Sequence, residues 1–200
     1  MAETNVARQD DPETNVEEWK PSLRLSIVWN ILGLALVVVG FFLFGVTAAG
    51  LSGGSVRIEG LDSLLIIIAI LVGTLVVHEA LHGLAMLLFG ARPTFGVALV
   101  QKVMPVAYCT AHGHLFTRGQ FIVVSLAPVV VMTVVGVSLM PFGNLAGWLI
   151  VPLAINLGGA IGDLWFFGMI VRKSPGVMIE DLRDGLRFHE PRSPAGSPEA

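Results

Sequence analysis

Four long apolar runs, at roughly 24–47, 63–90, 120–141 and 145–171, alternate with short polar or mixed segments. Each supplies the ~20 apolar residues that cross a ~30 Å hydrocarbon layer at 1.5 Å rise per residue. The pattern predicts an α-helical membrane protein with about four transmembrane helices, occupying residues 21–175. Residues 1–20 (MAETNVARQDDPETNVEEWK) are rich in Glu, Asp, Asn and Thr. They read as a disordered acidic tail that meets the membrane surface at Trp19 and Lys20, with no apolar core for a cleavable signal.

The segment between the second and third runs, 91–119, is too long and too apolar for a plain connector. TFGVALV and VMPVAYCT are β-prone runs separated by Gln101 and Lys102, and they predict a strand pair. At membrane depth such a re-entrant loop is tolerated only where protein or water satisfies its backbone. In the last block, 176–200, VMIEDLRDGLRF places Ile179, Leu182 and Leu186 at i, i+3 and i+7. That spacing predicts a short amphipathic helix on the inner surface, followed by a disordered tail.

Composition strengthens the membrane reading. The chain is 54% hydrophobic and only 14% charged, against about 25% charged in soluble domains. With a net charge of −3 there is no basic surface for nucleic acid. The one cysteine, Cys109, excludes an intrachain disulfide and a Cys-based zinc cluster, and reads as packing. Eleven of the twelve Lys and Arg residues fall in the N-terminal segment, the 91–119 loop or the C-terminal segment, and only Arg57 lies opposite. The positive-inside rule then predicts a multi-pass cell-membrane protein with both termini cytoplasmic. Its oligomeric state is not legible.

The second run contains His78-Glu79-Ala80-Leu81-His82, an H-E-x-x-H on a helix. Positions i and i+4 share one face, so two imidazoles reach one ion, and the adjacent Glu79 can take a proton from a water the ion activates. With five histidines and nine glutamates in the chain, chance produces the motif about 0.006 times, which favours function over coincidence. Ionisable groups at mid-span cost about 2.5–3.5 kcal/mol each on insertion scales, and metal binding compensates them. A polar cluster joining helices is the plainer alternative.

A zinc site needs a third ligand. No histidine follows at the H-x-x-G-x-x-H spacing. Asp163 is the only acidic residue between Glu79 and Glu180, and no Lys or Arg lies inside a span to pair with it. His82 and Asp163 both lie about 12 Å before the inner ends of two co-directional spans, by rise per residue. Asn156 is two helical turns before Asp163 and shares its face. It can either donate to a developing oxyanion or make an interhelical hydrogen bond. Gly158 and Gly162 form a small-xxx-small pair that admits a close neighbour. His112 and His114 are spare ligand candidates or interfacial histidines; His189 lies in the polar tail.

HEALHGLAMLLFGARP, PVAYCTAHGHLFTRGQFIVVSLAP and NLGGAIGD together resemble the putative zincin peptidase family of membrane proteins over roughly residues 60–175. More distantly the layout is similar to site-2-protease-like intramembrane metalloproteases. The resemblance implies that His78 and His82 bind zinc, Glu79 is the base and Asp163 is the third ligand. Asn156 here lacks the proline that usually follows it in the site-2 pattern, and Leu164 replaces the glycine after the aspartate.

The expected function is therefore a zinc-dependent intramembrane peptidase. It would bind one Zn2+ per chain and cut membrane-embedded or juxtamembrane peptide bonds, with the bilayer and a membrane-protein or peptide substrate as partners. Two other classes remain open: a transporter or proton/metal relay using intramembrane His and Asp, and a non-catalytic metal-binding membrane protein.

Overall fold

The computed structural model describes residues 14–54, 56, 64–100, 104–142 and 145–191. Three helices are long and apolar enough to cross a membrane: α1 (Leu23–Leu51), α2 (Leu64–Leu88) and α3 (Arg118–Leu139). Two further apolar helices, α4 (Leu145–Gly159) and α5 (Ile161–Ile170), are bent by 44° at Ala160 and together make a fourth candidate span. In α2 only 11% of the most apolar window is buried inside the protein. Its Leu, Ile and Val side chains face outward, the arrangement that lipid rather than water permits.

Helix ends follow local chemistry. Ser22 caps α1, its hydroxyl accepting from the Leu25 N–H at 3.2 Å. Thr117 and Gln120 form a reciprocal capping box at the start of α3, which satisfies two otherwise orphaned donors. Small residues let α1 lie directly on α4. A Cβ at Gly158 would fall 2.3 Å from Val37 Cγ2 and 2.6 Å from the Gly33 carbonyl. One face of the predicted Gly158/Gly162 pair is thus used by α1, while at Gly162 the nearest atom is a Trp29 ring carbon at 3.9 Å.

Between α2 and α3, β2 (Thr94–Val100) and β3 (Met104–Thr110) form the expected antiparallel pair, with Thr94 opposite Thr110. The Phe95 ring sits down on Gly83 of α2, where a Cβ would be only 2.5 Å from Cζ. Cys109 is buried beside Met86. The connecting residues 101–103 lie outside those described, as does the 57–63 loop that carries Arg57.

A second sheet departs from the expected layout. Its order is β1-β6-β5-β4, all antiparallel, with β1 (Thr14–Trp19), β4 (Leu115–Thr117), β5 (Met178–Leu182) and β6 (Gly185–Pro191). The expected amphipathic helix at 177–188 is instead the β5–β6 hairpin. Arg183 and Asp184 form its two-residue turn between the paired Leu182 and Gly185, Gly interrupts a helix, and Ile179 pairs with Phe188 across the ladder. The expected disordered tail ends early: residues 14–19 form β1, with Val16 opposite His189.

Ion pairs hold this sheet together. Lys173 reaches Glu17 at 2.7 Å and Glu190 at 3.1 Å, and Arg187 reaches Glu180 at 2.7 Å and Glu18 at 3.1 Å. Phe116, Ile179, Leu186 and Phe188 from the sheet pack with Phe121, Met86 and Ile170 of the helices. Both ends of the described chain therefore meet in one sheet at one end of the helices.

Candidate metal centre

His78 and His82 lie one turn apart on α2, with ring centroids 4.9 Å apart. Asp163 enters from the first turn of α5, where the helix N-terminus favours a carboxylate. The bend at Ala160 gives α5 its own N-terminus within an otherwise continuous apolar span. Asp163 Oδ2 lies 3.1 Å from His78 Nε2, and Oδ1 lies 3.4 Å from His82 Nε2. Among the described residues this is the one His/Cys/Asp/Glu group whose ligand atoms fall within 4.8 Å of one another.

Each imidazole is fixed from behind. His78 Nδ1 donates to Asn156 Oδ1 at 2.9 Å, and Asn156 Nδ2 donates to the Pro128 carbonyl at 3.4 Å. His82 Nδ1 donates to the Val124 carbonyl at 2.9 Å. That carbonyl is free because Pro128, four residues on, has no N–H to offer it. With both Nδ1 atoms committed as donors, both Nε2 atoms turn lone pairs toward a carboxylate that is itself an acceptor. Three electron-rich groups so arranged are held together by a cation or a shared proton between them. Two imidazole nitrogens and one carboxylate suit zinc and leave a coordination position open.

Glu79 follows His78 on the same helix and faces the same cavity, with the Cys109 backbone within hydrogen-bonding reach of its carboxylate. The cavity measures about 580 Å³. It is bounded by α1 through Asn30 and Gly33, by α2 through the histidines, and by β3 through Ala107 to Cys109. The β5–β6 turn and Asp181 border it from the sheet.

Of the residues singled out from sequence, His78, Glu79, His82 and Asp163 converge here. Asn156 is also present, but its amide is engaged with His78 and Pro128, in the interhelical arrangement. His112 is exposed and His114 lies 4.5 Å from the Phe116 ring; neither joins the group. Sequence reasoning missed Asp181 and the Val124 carbonyl. The Asp184-Gly185 dipeptide within an apolar-alternating stretch was the available signal for the first, and a proline inside an apolar span for the second.

An apolar helical bundle in which two histidines and an aspartate converge beside a glutamate carries the donor set of a metal centre. The family model described as "Putative zincin peptidase" matches residues 71–178, and the chain belongs to that metallopeptidase family. The family implies zinc, and the residues present fit it. No curated protein and no solved structure matches the chain.

Proposed function

We propose that the protein is a zinc-dependent intramembrane endopeptidase in which His78, His82 and Asp163 hold the ion and Glu79 moves the protons. The convergence of these side chains inside outward-apolar helices carries the reading. When bound, zinc supplies Lewis acidity toward a water and a peptide carbonyl.

The chain's own residues do the rest. Asn156 and the Val124 carbonyl hold the imidazoles in the tautomer that presents Nε2. Glu79, beside His78, accepts a proton from the attacking water and returns it to the leaving amine. The edge of β3 not used by β2 borders the cavity, so a substrate unwound to an extended strand can add to it through main-chain hydrogen bonds. The outward-facing apolar side chains of the helices that carry the site support a substrate within or beside the membrane. The Lys and Arg distribution supports a cytoplasmic side for the four-stranded sheet and both termini.

Zinc per chain, measured for the purified wild type and Asp163→Ala in detergent, tests this. The expected result is about one zinc in the wild type and little in the variant. A folded wild type without zinc would overturn the reading. Asp163 bridging both imidazoles also suits a proton relay. Proton flux in liposomes that persists in Glu79→Gln would favour that alternative.

A further inference from the structure

Two adjacent acids on β5 have different surroundings. Successive strand residues face opposite sides. Glu180 turns to one side, where it accepts from the Gly113 N–H at 3.0 Å and from Arg187 at 2.7 Å. Asp181 turns to the other, lining the metal cavity close enough to act electrostatically on His82, Asp163 and Glu79. It is 8% exposed. The Thr110 hydroxyl donates to its backbone carbonyl at 2.8 Å and lies within reach of its carboxyl group.

No Lys or Arg ion-pairs with Asp181 among the described residues, although cations are near. Arg183 lies over the Tyr108 ring at 5.2 Å, and Lys20 is paired with Glu18 and Asp184. A divalent ion in the site is already balanced by Asp163 and Glu79. Asp181 is therefore left as a buried acid without a counter-charge, in a cavity that must accept a peptide. Such a group is stabilised by an arriving cation.

We propose that Asp181 is a specificity-determining residue whose carboxylate receives a lysine or arginine side chain of the substrate next to the scissile bond. This rests on the peptidase reading. Asp181 lies beyond the segment matched by the family model, so the selectivity is a property of this chain's sheet. Burial pushes the Asp181 carboxyl up to about 8, so cation binding would be accompanied by proton release near neutral pH.

The test uses zinc-loaded Glu79→Asp protein in micelles, which keeps both balancing carboxylates while withdrawing the base by one methylene. Fluorescent apolar transmembrane peptides carry Lys, Gln or Glu at successive positions. Anisotropy should show Lys favoured over Gln by about tenfold at one position or two neighbouring ones, the scale of a charge-assisted contact. Adding Asp181→Asn should erase that preference, and adding Asp181→Glu should keep it, with zinc content unchanged in both. Equal preference with Asp181→Asn, or no position favouring Lys, would overturn the proposal. A lysine preference in protein that takes up no zinc would instead uphold the docking role and count against the peptidase reading.

Discussion

The Val124 carbonyl lies 2.9 Å from His82 Nδ1 because Pro128 cannot claim it. Pro128 also receives the Asn156 amide through its own carbonyl. One proline on α3 thereby orients both histidines, one by the donor it lacks and the other by the acceptor it keeps. Restoring the N–H with Pro128→Ala should draw Val124 back into the helix and loosen His82. Zinc affinity, read by competition with a chelator, should fall about 10–100-fold, the usual effect of losing a ligand's outer hydrogen bond. An unchanged affinity would mean that His82 is oriented by something else.

Asn156→Leu should act on His78 in the same way. The substituted side chain cannot accept from Nδ1, so a similar loss of about 10–100-fold in zinc affinity is expected. Asn156→Asp keeps an acceptor and should retain most of the binding. If Asn156→Leu instead left zinc affinity intact and removed only turnover, Asn156 would belong at the oxyanion.

Packing of α1 makes a paired prediction. Gly158→Val would drive a side chain into Val37 and the Gly33 carbonyl, a loss of about 1–3 kcal/mol by overpacking. Gly162→Ala meets nothing closer than 3.9 Å and should be neutral or slightly stabilising. Thermal unfolding in detergent compares them, and equal Tm values would contradict the close approach.

In the sheet, Arg187→Met leaves the buried Glu180 carboxylate with the Gly113 N–H and with His189 Nε2 at 3.6 Å. The loss should be about 1–3 kcal/mol, discounted from a fully buried pair because Arg187 is partly exposed. Hydrogen exchange should show β5 and β6 opening more readily. Lys20→Met, whose ion pairs are exposed, should leave their protection unchanged.

Asp181 predicts a pH trend. Its folded-state carboxyl keeps its proton up to about 8, while in the unfolded chain it ionises near 3.9. Between those values the unfolded state binds fewer protons, so stability falls as pH rises. Asp181→Asn should remove that loss in metal-free protein. Its Tm advantage should grow from about pH 4 to pH 8 and level off above. An advantage independent of pH would assign the effect to something other than ionisation.

Much of this was legible along the chain. Apolar runs mark the spans because lipid leaves helices no polar face to vary, and His78, Glu79 and His82 stand out because charge is rare there. Asp163 followed by elimination. The β2–β3 hairpin showed through its β-prone runs. The β5–β6 hairpin did not, because Ile179, Leu182 and Leu186 satisfy a helical spacing and only Gly185 argues against it. β1 left little hydrophobic trace: its residues 15–18 are exposed, Trp19 alone packs on the core, and charge pairs to Lys173 and Arg187 help hold it. The bend at Ala160 has no proline to announce it.

Pairing of β1 with β6 also sets an order of assembly. Trp19 leaves the ribosome early, yet its ladder partner Leu186 is made only after His78, His82 and Asp163 have all been synthesised. The ligands can gather in the membrane before the sheet that borders their cavity exists. Closure of the ladder is a long-range strand pairing, the slowest kind of contact to form, so the border of the cavity is completed only when two segments more than 160 residues apart meet.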